Sequence, residues 1–370
     1  TIFFDDDGRV YIIWGGGKLR IAELKPDLSG IKEGTERIFI ENASAPSGDN
    51  VGLPAEGSQL FKVNGKYYLF NITWPKGGMR TVVIHRADHI NGPWEGRIAL
   101  QDKGVAQGGL IDTPDGRWFA YLFRDNGAVG RIPYLVPVKW EEGWPVLGID
   151  GKVPERLELP ASKGLIPGIV ASDEFTRKKK EAALSLVWQW NHNPDNSLWS
   201  VSERKGYLRL KTGRVDADFL SARNTLTQRT VGPVCSGTTS VDVSNMKEGD
   251  FAGLALLQKK YGFVGVKYEN GVKKIVMVSA QADKPEEVES LPLNQTVIFL
   301  KAECDFTDLK DIASFYYSLD GKKWIKIGSQ LKMAYTLPHF MGYRFGLFNY
   351  ATKAAGGYVD FDYFRISDKK

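Results

Sequence analysis

The chain has 370 residues, of which 42% are hydrophobic, 25% charged and 12% aromatic, and its 49 basic and 44 acidic residues give a net charge of +5. The mixed charge argues against a nucleic-acid-binding protein, no run approaches the ~18 apolar residues of a membrane span, and two cysteines do not make a disulfide framework. The aromatic content, together with 40 glycines and 17 prolines, favours an all-β fold with many turns.

The first part of the chain, residues 1–158, contains an internal repeat. Each copy reads as a strand, an Asp-Gly or Asn-Gly turn, a basic residue and an aromatic-rich strand, and the turn glycines are Gly8, Gly65 and Gly116. Such turns are the strongest short signals for a β-hairpin, because both turn residues need positive φ angles. A third strand follows each hairpin, at residues 19–24, 81–86 and 131–136. Repeats of this length built from four strands predict the blades of a β-propeller.

Three such blades are too few to close a ring. The chain also begins at Thr1, directly in a strand and without a methionine. We therefore expect an incomplete propeller, whose remaining blades precede Thr1 in the complete protein.

The pattern changes after residue 158. Residues 159–172 are rich in Gly and Pro and read as a linker, and residues 173–370 contain many short strands separated by turns. Several of these strands alternate apolar and polar residues, which predicts a β-sandwich. The clearest strands are residues 206–211, 238–243, 251–256, 263–268, 274–278, 296–300, 313–317, 343–348 and 358–364.

Glu56 is the first candidate for a catalytic group. It lies between small residues (Ala55 and Gly57), directly ahead of an aromatic-rich strand. The chain shows no P-loop, dinucleotide fingerprint, zinc-type motif or Gly-x-Ser-x-Gly elbow, which leaves carboxylates, aromatic side chains and open loops. Such groups suit carbohydrate chemistry, in which sugars stack on aromatic rings and two carboxyl groups cleave the acetal. From these residues alone, Glu56 is either a proton donor or a solvated loop carboxylate.

Several motifs resemble glycoside hydrolase family 43. Those in the first part are residues 2–11 (Ile-Phe-Phe-Asp-Asp-Asp-Gly-Arg-Val-Tyr), 55–58 (Ala-Glu-Gly-Ser), 106–109 (Ala-Gln-Gly-Gly) and 130–138 (Gly-Arg-Ile-Pro-Tyr-Leu-Val-Pro-Val). Those in the second part are residues 188–195 and 222–229, which are similar to the concanavalin-like β-sandwich of the family's β-xylosidases. The resemblance covers nearly the whole chain and implies a five-bladed β-propeller followed by that sandwich.

The resemblance also implies a reaction. The family inverts the anomeric centre with a general-base Asp, a second Asp that tunes and orients the acid, and a general-acid Glu, which Glu56 matches. Neither Asp has a match in residues 1–370, so we expect little hydrolysis by this chain alone. The substrate implied is a terminal xylosyl or arabinofuranosyl unit on a plant cell-wall polysaccharide or oligosaccharide, and no cofactor is required for the chemistry. The alternative is a non-catalytic, lectin-like carbohydrate-binding protein.

Three residues are implied as substrate contacts. Arg131 matches an arginine that binds the sugar, although a surface arginine on a strand would look the same. Gln107 stands where many members have a His beside a central calcium or water site, and Trp74 is either a stacking wall or a residue packed between blades. The resemblance further implies a structural calcium in the sandwich, at Asp173, Glu174 and Asp362.

Overall fold

The computed structural model describes residues 1–159, 165, 168–179, 181, 183–282, 284–337 and 339–369. Half of the linker predicted at residues 159–172 lies outside these residues. The chain forms two compact units, the first containing residues 1–125 and 131–159 and the second residues 126–130 and 160–370. No helix among the described residues is long and apolar enough to cross a membrane.

The first unit consists of three antiparallel sheets of four strands each, with the strands in chain order within each sheet. The first sheet contains β1 (Ile2–Phe4), β2 (Val10–Gly16), β3 (Lys18–Glu23) and β4 (Arg37–Ile40). The second contains β5 (Val51–Val63), β6 (Lys66–Pro75), β7 (Thr81–Ala87) and β8 (Glu95–Leu100). The third contains β9 (Ala106–Asp112), β10 (Trp118–Asp125), β11 (Arg131–Glu141) and β12 (Trp144–Leu147).

The predicted hairpins open these three sheets, which confirms the repeat. Between β5 and β6, Asn64 and Gly65 both have positive φ angles (50° and 79°), as a tight two-residue hairpin turn requires. Gly8 and Gly116 occupy the corresponding turns with φ angles of 83° and 81°. The three sheets are therefore blades of the propeller type.

Asp5 ties the first blade to the second. Its buried carboxylate accepts hydrogen bonds from Lys62 Nζ (2.8 Å) and from the Tyr67 hydroxyl (2.7 Å). Burial alone would raise the pKa of Asp5, but these hydrogen bonds outweigh it and lower the pKa. The acidic run at residues 5–7 is thus explained by turn and blade packing rather than by catalysis.

The second unit contains two seven-stranded antiparallel sheets, as expected for a β-sandwich. The first has the order β13 (Gln189–Trp190), β16 (Leu226–Arg229), β25 (Arg344–Ala351), β18 (Asp250–Leu257), β19 (Gly262–Glu269), β20 (Val272–Ser279) and β21 (Glu286–Pro292). The second has the order β14 (Trp199–Ser200), β15 (Leu208–Lys211), β26 (Tyr358–Ser367), β17 (Val234–Asp242), β22 (Val297–Asp305), β23 (Ile312–Ser318) and β24 (Ile325–Lys332).

The two sheets share one apolar core, which includes the fully buried rings of Phe315, Phe345, Phe361 and Phe364. Cys235 and Cys304 face each other in register on β17 and β22, and both are buried free thiols. The described residues contain no α-helix, and their only helical segments are 3₁₀ turns at Ala45–Ser47, Gly127–Val129, Phe219–Ser221 and Thr307–Leu309. The all-β prediction is therefore confirmed.

Candidate active site

The first unit contains a cavity of about 640 Å³ to which all three blades contribute. We call it the propeller cavity. Aromatic and small residues form much of its wall, and Arg131 and Gln107 provide polar groups. The lining consists of Thr1, Ile13, Trp14, Gly15, Gly57, Ser58, Gln59, Gln107, Gly108, Tyr121, Leu122, Phe123, Arg131 and Pro133. Its volume falls within the ~300–1,000 Å³ typical of small-ligand sites.

Glu56 lies in an irregular part of β5, and it adjoins the cavity-lining residue Gly57 in sequence but is not itself part of the lining. It pairs with Ile72 of β6, and the register shifts on both sides of it, between Leu53 and Glu56 and between Glu56 and Gln59. Such irregularities redirect side chains and occur often beside active sites. The side chain is half-buried, and the next residue, Gly57, is the first β5 residue of the cavity lining.

Side chains of β6 hold the backbone around Glu56 in place. The Asn71 amide donates to the Glu56 carbonyl oxygen (3.1 Å) and to Ser58 Oγ (2.9 Å), and the Thr73 hydroxyl donates to the Leu53 carbonyl oxygen (2.9 Å). These bonds compensate for the ladder hydrogen bonds that the bulges interrupt. In the described part of the chain, no group donates a hydrogen bond to the Glu56 carboxylate and no cation forms an ion pair with it. A carboxyl group that is not paired to a cation remains able to carry and give up a proton.

Gln107 packs against the residue that follows Glu56. Gly57 has a φ of 63°, and a Cβ atom placed there would lie 2.2 Å from Gln107 Nε2. Only glycine therefore fits, both for its backbone angle and for the space that the amide occupies. Gln107 itself has a φ of 58°, an uncommon value for a residue with a side chain, and such strain often accompanies functional sites.

Arg131 lines the cavity and is held from two sides. Its Nε donates to Asp125 Oδ1 at 3.3 Å, and its guanidinium lies 4.2 Å from the centre of the Phe123 ring. The other oxygen of Asp125 accepts a hydrogen bond from Arg80. The Arg80 guanidinium in turn lies 5.2 Å from the centre of the Trp74 ring. Asp125 therefore contacts Arg131 directly and is linked to Trp74 through Arg80.

Trp74 itself is not part of the cavity lining. Its ring is 42% exposed, and its indole nitrogen donates to the Gly78 carbonyl oxygen at 3.1 Å. The structure therefore brings Gln107 and Arg131 together at the cavity and places Trp74 on the exposed end of β6. A role for Trp74 in substrate binding stays a prediction.

Replacing Asp125 tests whether it positions Arg131. We expect Asp125→Ala to raise KM of the complete protein by about 10- to 100-fold with a smaller change in kcat, because a misplaced contact group weakens binding. Asp125→Asn, which can still accept one hydrogen bond, should recover part of the loss. Thermal unfolding should change little, because the ion pairs are only partly buried.

Asp115→Asn is the matched control, because Asp115 also pairs with an arginine, Arg117, in an exposed turn. Equal changes in KM for the Asp125 variants and for Asp115→Asn would contradict the positioning role.

Two of the three residues predicted to bind calcium, Asp173 and Glu174, are paired with arginines. The Asp173 carboxylate accepts hydrogen bonds from both terminal nitrogens of Arg177 (2.8 and 2.7 Å) and from the Trp188 indole (2.9 Å). Burial alone would raise the pKa of Asp173, but these bonds lower it. Glu174 is paired with Arg365 through two hydrogen bonds.

Both carboxylates are therefore paired with arginines in this structure, and calcium binding by these two residues together with Asp362 stays a prediction. Among the described residues, no group of three or more His, Cys, Asp or Glu side chains could hold a metal ion. No step proposed below passes through calcium.

Sequence reasoning did not identify the aromatic wall of the cavity. The aromatic residues of this wall, Trp14, Tyr121 and Phe123, lie on β2 and β10. In the sequence, they have the same pattern as aromatic residues that pack between strands. One local signal was present for Trp14, because it directly precedes three glycines that end the strand.

Comparisons with known proteins match both parts of the chain. Residues 1–145 match the family model described as glycosyl hydrolases family 43, and residues 172–367 match the β-xylosidase C-terminal concanavalin A-like domain. A curated relative, the putative β-xylosidase of Xylanibacter ruminicola, is 32% identical over 90% of this chain and 61% of its own length.

Two solved structures are also similar. A bifunctional GH43-CE protein of Bacteroides eggerthii is 70% identical with a TM-score of 0.98, covering 100% of this chain and 48% of that one. A GH43 glycoside hydrolase engineered to display both endo-xylanase and exo-arabinofuranosidase activity is 30% identical with a TM-score of 0.83, covering 99% and 73%. The chain thus spans less than two thirds of the Xylanibacter and Bacteroides eggerthii proteins.

Proposed function

The chain belongs to glycosyl hydrolase family 43, and from that premise we propose that the complete protein removes terminal xylosyl or arabinofuranosyl units from plant cell-wall polysaccharides or oligosaccharides. The observation that carries the proposal is the propeller cavity, where Arg131, Gln107 and an aromatic wall meet one residue from Glu56. Aromatic faces and a small number of placed polar groups are what a single sugar ring needs for binding and orientation. The xylosidase name of one relative and the arabinofuranosidase activity of another support these two substrates.

Glu56 acts in this proposal as the general acid. It donates a proton to the glycosidic oxygen as the bond to the anomeric carbon breaks, so that the leaving group departs as a neutral alcohol. The absence of an ion pair at its carboxylate, among the residues described, and its half-buried position next to Gly57 support that role. Arg131 and Gln107 bind hydroxyl groups of the sugar and fix its orientation.

Inversion requires a second carboxylate, about 6.5–9.5 Å from the first, which activates water on the opposite face of the sugar. Among the described residues that line the propeller cavity or directly adjoin a lining residue in sequence, Glu56 is the only Asp or Glu. We therefore propose that the 370-residue chain alone has little activity and that the base belongs to another part of the complete protein.

Hydrolysis of aryl glycosides tests the proposal. The complete protein should cleave an aryl β-xyloside or an aryl α-L-arabinofuranoside and leave the aryl β-glucoside nearly intact. Proton NMR of the first product should show the inverted anomer, α-xylose or β-arabinose, before mutarotation. A retained anomer would refute the inverting mechanism, and cleavage of neither pentoside would refute the substrate class. An ordinary rate with the 370-residue chain would refute the external base.

A further inference from the structure

A second cavity, of about 190 Å³, lies wholly within the second unit. We call it the sandwich cavity. Its volume is below the ~300–1,000 Å³ of most small-ligand sites, so it suits one small ring rather than an oligosaccharide. Its walls come from the loop after β13, the segment after β15, the residues before β16 and the end of β25. The lining is Asp195, Leu198, Lys211, Thr212, Gly213, Arg214, Asp216, Arg223, Asn224, Asn349 and Tyr350.

Asn349 gives this cavity an unsatisfied hydrogen-bond acceptor. Its side chain is only 5% exposed, and its Nδ2 donates to the Leu210 carbonyl oxygen at 2.9 Å. That bond fixes the amide, while Oδ1 has no partner within the described residues. Nearly all buried polar atoms in folded proteins are hydrogen-bonded, so a buried carbonyl oxygen at a cavity wall points to a missing donor.

Asp216 provides a second buried acceptor. Its backbone nitrogen donates to the Ala351 carbonyl oxygen (2.8 Å), and its Oδ1 is paired with Arg214 Nε at 2.8 Å. The carboxylate is nonetheless under-stabilised, because burial raises its pKa and the contribution of Arg214 does not fully offset this. A hydroxyl group that donated to Asp216 would favour its charged form.

Both cationic and anionic side chains line the cavity. Lys211, Arg214 and Arg223 face or adjoin Asp195, Asp216 and Glu203, the last of which pairs with Lys211 at 2.6 Å. The Asp195 carboxylate already accepts two hydrogen bonds from Ser197, and Arg223 Nε donates to the Asn193 carbonyl oxygen. Because each of the three cations in the lining already has a partner within the protein, the cavity offers no free charge that would favour an ion.

Guanidinium donors next to carboxylate and amide acceptors match groups that donate and accept at once, as hydroxyls do. We propose that the sandwich cavity is a second saccharide-binding site, which takes one neutral sugar ring through its hydroxyl groups. In this arrangement hydroxyls donate to Asn349 Oδ1 and Asp216, and Arg223 donates to a sugar oxygen. The two cavities share no lining residue, so a test of saccharide binding in the sandwich cavity is independent of a test of hydrolysis.

Titration of the isotopically labelled 370-residue chain by NMR tests the proposal. The probes are xylose and arabinose, with glucuronate as a charged sugar and glycerol as a small polyol. We expect saturable shifts of the backbone amides of Asp216 and Tyr350 with the pentoses, and weaker or no saturation with glucuronate and glycerol. Sugar in the propeller cavity would shift the amides of Gly57 and Arg131, so the two sites are read separately.

Two variants connect the shifts to the cavity. Asn349→Leu removes the unsatisfied acceptor and Arg223→Gln shortens an exposed donor, and each should weaken binding about fivefold or more, as expected for a lost hydrogen bond. If Asn349→Leu does not fold, Arg223→Gln still tests the proposal. Arg365→Gln is the matched control, because Arg365 is an exposed arginine outside the cavity lining.

Three results would overturn the proposal. One is the absence of shifts at Asp216 and Tyr350 at high pentose concentration, which would mean that the cavity holds only water. Another is tighter binding of glucuronate than of the pentoses, which would mean that the site selects charge. The third is unchanged pentose binding both in Arg223→Gln and in an Asn349→Leu variant that is shown to fold.

Discussion

Glu56→Gln is expected to lower the rate at which the complete protein hydrolyses xylosides or arabinofuranosides of simple alcohols by about 10²- to 10⁴-fold, the usual contribution of general acid–base catalysis. Glutamine has nearly the same size and can still form hydrogen bonds, so the bulged part of β5 should keep its conformation. The backbone there is held by Asn71 rather than by the Glu56 side chain. Binding of the sugar should therefore change little.

The loss should depend on the leaving group. An activated phenol departs without a proton, so its glycosides should lose much less rate in Glu56→Gln than glycosides of simple alcohols. This dependence distinguishes a missing proton donor from a distorted site, which would slow all substrates equally. The assay is kcat for a series of leaving groups, with sugar binding measured in parallel.

Glu155→Gln provides the control, because Glu155 lies in the same unit, is 86% exposed and pairs with Lys103. It should leave every rate unchanged. If Glu56→Gln retains ordinary activity on poor leaving groups, Glu56 is not the proton donor. If it loses sugar binding to the same extent as rate, Glu56 is a binding residue.

The fold was predictable where local signals are strong. The Asn64–Gly65 turn and the strands on both sides of it follow from the positive φ angles that those residues tolerate, and the same holds at Gly8 and Gly116. Central strands of the sandwich were also readable, because their buried faces require apolar side chains, as in β18 and β25.

The strands that sequence reasoning missed lie at or next to the edges of the two sandwich sheets. β13, β14, β21 and β24 are the four edge strands, and β16 neighbours one of them. The residues of β21 and β24 are mostly exposed, and β21 includes three glutamates. An edge strand is held largely by backbone hydrogen bonds to one neighbour, and charges there oppose unwanted pairing, so its sequence lacks the apolar pattern of a strand.

The site was predictable only in part, for a similar reason. Glu56, Gln107 and Arg131 were identified from motifs, and the structure places Gln107 and Arg131 at one cavity beside Glu56. The role of Asp125 depends on a contact between two side chains on adjacent strands, Asp125 paired in register with Arg131, and no sequence pattern shows it. Calcium binding at Asp173, Glu174 and Asp362 stays a prediction, and no sequence pattern indicated that Arg177 would pair with the Asp173 carboxylate.

Asp360→Ala is expected to destabilise the sandwich by about 3–5 kcal/mol, the usual cost of breaking a buried ion pair from one side. The Asp360 side chain is 3% exposed and accepts hydrogen bonds from Arg209 Nε (2.7 Å) and Nη2 (2.9 Å) and from Arg204 Nη1 (3.1 Å). Its removal leaves the largely buried Arg209 with only the more exposed Glu203 as a partner, and Arg204 with Asp242. Urea unfolding should show a lower midpoint at an unchanged slope. Asp368→Ala, at an exposed position near the end of β26, is the control and should have little effect.

The double variant Arg209→Met, Asp360→Leu separates the two possible origins of this loss. If the cost comes from an uncompensated buried charge, the double variant should be more stable than Asp360→Ala, because it replaces the pair with apolar side chains of similar size. If the pair itself supplies the stability, the double variant should be at least as unstable. Arg209 and Asp360 face each other in register on β15 and β26, and β15 ends at Lys211 on the wall of the sandwich cavity. Asp360→Ala should therefore also weaken pentose-induced shifts at Asp216, whereas a double variant that restores the packing of β15 should recover them.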